Sequence, residues 1–82
     1  MSRLPATSLN RRLRSIVKEL VEARVGLQPA KQGFEREYII ASWRACGGNL
    51  SRTATQLSIH RNTLRLKMQN LGIGPADYEG RR

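Results

Sequence analysis

The run Gly47-Gly48-Asn49-Leu50-Ser51-Arg52-Thr53-Ala54, resumed after Leu57 as Ser58-Ile59-His60-Arg61-Asn62-Thr63-Leu64-Arg65, decides how this chain folds. A Gly-Gly pair stops the element before it. Asn49 is a residue type that caps helix starts, so a short helix is expected over residues 50–57. Ser58, Ile59 and His60 form a turn. A further helix is expected over residues 61–71, ended by Gly72, Gly74 and Pro75. Two short helices about a tight turn make a helix-turn-helix. Its interior is legible too. Ala54 is small where a larger side chain would push the helices apart, Leu57 and Ile59 bracket the turn, and Leu64 and Met68 face inward one helical turn apart.

The outward face of the second helix presents Arg61, Asn62, Thr63 and Arg65, with Lys67 further along. Arginine can donate two hydrogen bonds to guanine O6 and N7. Asparagine does the same at adenine, and threonine can touch a thymine methyl. The first residues of a recognition helix are those that reach base edges. Asn49, Ser51 and Arg52 stand at the start of the preceding helix, where short polar groups and backbone N–H groups suit phosphate. His60 has no nucleophile or second base near it in the sequence, so a helix-end or phosphate-facing role is expected of it rather than catalysis.

Upstream, a helix is expected over residues 34–46. Phe34, Tyr38, Ile39, Ile40, Ala41, Trp43, Ala45 and Cys46 surround it more than they stripe it, and a helix apolar on most sides must be buried on most sides. A chain of 82 residues cannot easily supply that burial alone, so a dimer is expected. Before it, Ser8 is a candidate cap for a first helix whose Leu9, Leu13, Ile16, Val17, Leu20 and Val21 recur at helical spacing. Gly26 reads as its C-cap, and residues 26–33, with Pro29, read as a linker. The expected organisation is a flexible basic arm over residues 1–8, a two-helix dimerisation region over 9–48, the helix-turn-helix over 49–73 and a flexible tail over 74–82. Asp77 and Glu79 read as tail charges. Met1 and the short arm favour a free-standing chain.

Composition agrees with these elements. Fifteen Lys and Arg oppose six Asp and Glu, a formal charge of +9. Residues 1–32 carry +5, residues 33–48 carry 0 and residues 49–82 carry +4, so a neutral packing element lies between positive flanks. Such a surplus attracts polyanions. One cysteine excludes an intrachain disulfide framework, and one cysteine with one histidine excludes a zinc pattern. No apolar run approaches the roughly 20 residues that span a bilayer. No pair of carboxylates, nucleophile–base couple or glycine-rich phosphate loop is present, so no enzyme, cofactor or metal is expected. Cys46 reads as a small buried residue, Trp43 as core or dimer interface, and Arg11, Arg12 and Arg14 as either a solvated helix face or a DNA-facing one.

The residues 47–54 and 59–65, with Phe34-Glu35-Arg36-Glu37-Tyr38-Ile39-Ile40 ahead of them, resemble the Fis-type helix-turn-helix. That family includes the bacterial nucleoid protein Fis and the C-terminal DNA-binding domains of NtrC-type enhancer-binding activators. The resemblance covers residues 33–73. It implies an all-α fold of four helices per chain, the first two forming an intertwined four-helix core with a second copy and the last two presenting a recognition helix to the major groove. By position, Arg61 matches the family's base-contacting arginine. Asn49, Ser51, Arg52, His60, Thr63, Arg65 and Lys67 match positions that contact phosphate or flank the bases, and Asn62 lies among them. Leu13, Ile16, Val17, Leu20, Phe34, Tyr38, Ile39 and Trp43 are the dimerisation candidates. The chain departs from the family at three places. Ser58 stands where such turns often carry glycine, Leu66 stands at an often basic position, and Gln69 and Asn70 replace lysines.

The function expected is sequence-specific binding of double-stranded DNA by a homodimer in bacterial transcription, at an imperfect palindrome and with the transcription machinery as a further partner. The site of action would be the cytoplasm, at the nucleoid, and not a membrane. Two alternatives remain. One is an architectural protein that bends DNA with little sequence demand. The other is a dimerisation or docking module for a protein or RNA.

Overall fold

The computed structural model describes residues 7–75 and residue 77. Among the described residues the regular structure is helical throughout. It comprises α1 (Thr7–Glu22), α2 (Leu27–Ala45), α3 (Leu50–Leu57) and α4 (Arg61–Asn70). The chain divides into two compact units, and the division falls after Ala30, in the first turn of α2.

In the first unit, α1 carries its apolar residues at helical spacing as expected. It starts at Thr7, so Ser8 lies inside the helix rather than capping it, and the end of the expected arm is helical. Residues 1–6 of that arm lie outside the described residues. Gly26 does not end α1. Arg24 takes the left-handed position at φ 61°, and the Gly26 carbonyl instead accepts from the Ala30 N–H at 3.0 Å, opening α2.

α2 therefore begins well before residue 34, and the expected linker is helix. Pro29 falls in the first turn of α2. There, N–H groups have no partner within the helix and a fixed φ is no obstacle. Gly33 sits exposed in the helix interior, a weakness of about 1 kcal/mol relative to alanine that the surrounding helix absorbs.

All four helices end in the same way. In each, a residue two or three positions past the helix donates five residues back, and its predecessor, in left-handed conformation, donates three residues back. These are the paired bonds of a Schellman motif. They run Val25 N to Leu20 O and Arg24 N to Val21 O after α1, and Gly48 N to Trp43 O and Gly47 N to Arg44 O after α2. After α3 they run Ile59 N to Ala54 O and Ser58 N to Thr55 O, and after α4 Ile73 N to Met68 O and Gly72 N to Gln69 O. The residues that donate three back, Arg24, Gly47, Ser58 and Gly72, all have positive φ. Gly47 and Gly72 adopt this conformation without a Cβ clash, whereas Arg24 and Ser58 do not.

The second unit holds the core. Ile39 of α2, Ala54 of α3, and Leu64 and Met68 of α4 bury one another, at 3, 3, 0 and 8% exposure. Trp43, Leu50, Leu57, Ile59, Leu71 and Ile73 close around them. Ile59 and Ile73 close the motifs that follow α3 and α4, so each helix stop also delivers an apolar side chain to the core. Thr53 is fully buried, and its hydroxyl donates to the Asn49 carbonyl at 2.7 Å.

Of the expected dimerisation residues, Ile39 is buried in the chain's own core, and Trp43 packs against that core while staying partly exposed.

Ser58, at φ 60° and ψ 39°, is strained where glycine would be relaxed. Ser58→Gly is expected to stabilise the fold by roughly 0.5–1 kcal/mol. Urea unfolding at fixed protein concentration checks this through a higher midpoint at unchanged slope.

Candidate nucleic-acid interface

The interface is assembled by two helix starts. Asn49 has extended backbone, and its side chain accepts from the Arg52 N–H at 2.9 Å, satisfying one of the unpaired donors of the first turn of α3. His60 caps α4 in the same manner. Its Nδ1 accepts from the Asn62 N–H at 3.2 Å.

From these starts Ser51 and Arg52 on α3, and Arg61, Asn62, Thr63 and Arg65 on α4, all stand exposed, as do Asn49 and His60. Residues 49–73 contain Arg52, Arg61, Arg65 and Lys67 and no acidic residue. Among the described residues, Arg52, Arg61 and Arg65 form no ion pair with a carboxylate. This outer face is a one-signed surface with its hydrogen-bond donors held toward solvent.

Lys67 is placed differently from the others. It is half-buried, and its Nζ lies 2.7 Å from Glu35 Oε2 of α2. The ammonium ties α4 to α2 instead of joining the outer face.

The opposite end of α4 is held by α2 as well. Arg36 Nε donates to the Leu71 carbonyl at 3.1 Å, satisfying an acceptor at the helix end, and its Nη2 donates to Asp77 Oδ1 at 2.9 Å. Arg44 donates through Nε and Nη2 to the Asp77 carbonyl at 2.9 and 2.6 Å. Asp77 Oδ2 accepts from the Gly74 N–H at 2.9 Å. Asp77 is thus clasped by two arginines and is not a loose tail charge. Glu79 and the rest of the expected tail beyond residue 77 lie outside the described residues. Glu35, Arg36, Arg44 and Asp77 had no local signal as supports. Their partners are more than thirty residues away along the chain.

Of the remaining dimerisation candidates, Leu13 and Leu20 are half-buried. Ile16 and Val17 on α1, and Phe34 and Tyr38 on α2, stay exposed at 47–60%. The Phe34 and Tyr38 rings lie against each other with centroids 5.6 Å apart. Among the described residues, no three His, Cys, Asp or Glu side chains gather as a metal site, and no helix is long and apolar enough to cross a membrane.

Two short capped helices on a shared core, with a basic and acid-free outer face, define a helix-turn-helix of the DNA-binding regulator class. The model of the family described as "Bacterial regulatory protein, Fis family" matches residues 33–75, more than half of the chain, and the chain belongs to that family. It is similar to the nitrogen assimilation regulatory protein NtrX of Azorhizobium caulinodans, with 44% identity over 48 residues that make up 58% of this chain. The match spans 11% of that protein's length. No solved structure matches the chain significantly.

The Gly74 N–H, followed by the Arg36 guanidinium and the charge of Arg44, holds the Asp77 carboxyl below its ordinary value of 3.8, against the opposing effect of its burial. A depressed carboxyl stabilises the fold above its unfolded value, and that stability is lost as pH falls through the folded value. Asp77→Asn is therefore expected to lower the melting temperature at pH 5–7. The gap from the parent chain should close as pH drops below 3.8. Paired thermal melts across this range check it.

Proposed function

We propose that this chain binds double-stranded DNA sequence-specifically, as a homodimer, and acts by that binding, without catalysis, in bacterial transcription in the cytoplasm. The observation that carries the reading is the outer face of α4. It offers Arg61, Asn62, Thr63 and Arg65 from the first turns of a helix whose inward side is fixed by Leu64 and Met68. Arg61 specifies a base, a guanine by its bidentate geometry, while Asn62 and Thr63 tune the neighbouring positions. Arg52, Arg65, His60 and the first N–H groups of α3 hold phosphates. Lys67 contributes less, because Glu35 already holds its charge.

The homodimer is supported by apolar surface that a single chain leaves in water. Ile16, Val17 and Val21 on α1 are 47–68% exposed, and Phe34 and Tyr38 on α2 are 60 and 54% exposed. Surface of this kind marks an interface. A twofold dimer would set its two recognition helices about one DNA turn apart, roughly 34 Å, and read a palindrome.

Selection from random-sequence duplex at near-physiological salt tests the reading. The expected result is a twofold-symmetric motif. Arg61→Ala should weaken binding to it by roughly 1–3 kcal/mol and relax the preference at one position per half-site. Retention of DNA with no motif would replace this reading with DNA bending of low specificity. No retention would move it to a protein or RNA partner. The two cations of α4 should also separate by salt dependence. Arg65→Ala is expected to reduce the slope of log K against log salt by about 1 per half-site, and Lys67→Ala by clearly less.

A further inference from the structure

Leu66 is an aliphatic side chain at the centre of a polar face. It lies two residues from Leu64 and two from Met68, the buried pair that fixes the inward side of α4. At about 100° per residue it therefore points about 180° away from their midpoint, directly out from the core. It is 59% exposed. Its neighbours one turn away are Asn62, Thr63, Gln69 and Asn70, with Arg65 beside it, all exposed and all polar or charged. A scattered exposed leucine needs no explanation. This one stands opposite the buried pair, within the set of side chains proposed to read bases.

Leucine cannot hydrogen-bond a base edge or a phosphate. In the major groove the apolar feature available to it is the C5-methyl of thymine, which stands at the groove surface beside the donors and acceptors that arginine and asparagine read. Recognition helices contact bases across their first two turns, and residue 66 falls in the second. We infer that Leu66 is a specificity-determining residue that packs against a thymine methyl in each half-site, next to the bases read by Arg61 and Asn62. The inference rests on the reading of α4 as the helix that enters the groove. It gives that reading an apolar contact in place of a phosphate-seeking cation. Adding charge at residue 66 would raise affinity for any duplex alike, whereas leucine discriminates.

The test uses the full chain and the duplex recovered by selection, with each thymine replaced in turn by uracil. Uracil keeps every hydrogen-bonding group and lacks only the methyl. At one thymine per half-site, uracil is expected to weaken binding of the parent chain roughly three- to tenfold. Leu66→Ala should weaken binding to the thymine duplex by a similar factor and should no longer distinguish thymine from uracil there. It should retain its preference at the position read by Arg61.

Equal affinity of the parent chain for every uracil duplex would overturn the inference and leave the DNA-reading function standing. So would a Leu66→Ala chain that keeps the full penalty, or a selected motif without thymine. Failure of the parent chain to retain any duplex would overturn both. Should Leu66→Ala lose helix content by circular dichroism, Leu66→Gln takes its place: it should lose the thymine-over-uracil preference, and a Gln chain that keeps the full preference would overturn the inference.

Discussion

Everything on the outer face depends on the burial of Leu64 and Met68. These two side chains take α4 out of water on one side and seat it against Ala54 of α3 and Ile39 of α2. Burying a side chain of this size contributes about 1.5–3 kcal/mol, enough to fix which way the helix turns. Once Leu64 and Met68 point in, helical geometry makes Asn62 and Leu66 point out and sets Arg61 and Arg65 on one flank. The orientation of the reading residues follows from the core. Ala54 completes the constraint, because a small residue at the crossing lets α3 and α4 approach.

Polar contacts around this core then fix α4 along its length. His60 caps its start, Lys67 is pinned to Glu35 near its middle, and Arg36 takes the Leu71 carbonyl at its end. The charged contacts are partly exposed, and each is worth little alone. Their value is positional, since a helix that reads bases must be held against rotation and sliding. The repeated Schellman ending works to the same purpose. By stopping α3 and α4 sharply, it brings Ile59 and Ile73 back onto the core that the two helices share. The Asp77 clasp continues this below α4, joining Gly74 to Arg36 and Arg44 of α2.

Local signals made the helix-turn-helix legible. Asn49, the Gly47-Gly48 pair and the Leu64–Met68 spacing each act within a few residues, and the structure places α3 over the span they indicate. The positive φ at Ser58 was foreseeable from the residue type that such turns favour. The start of α2 was not legible, because Pro29 has opposite meanings in a linker and in a first turn, and only the register of the helix distinguishes them. Arg24 was missed for the converse reason, since a left-handed arginine carries no sequence mark and Gly26 beside it carries a misleading one. Among the site residues, Arg61, in register with Leu64 and Met68, is exposed because it opens α4, whereas Asn62, Thr63 and Arg65 could be read as exposed from helical periodicity. Lys67 could not, because its fate was decided by Glu35, thirty-two residues earlier. The apolar surround of α2 does not by itself say what covers each side, and the chain's own α3 and α4 bury Ile39 and partly bury Trp43.

The central claim is that α4, steered by α3, is the surface that meets DNA. The most direct measurement is the change in backbone amide resonances of the full chain on adding duplex. If α4 enters the groove, the largest changes fall on residues 49–52 and 60–66, with small ones across the Phe34–Tyr38 face of α2. Changes centred on that aromatic face, with residues 60–66 unmoved, would contradict it.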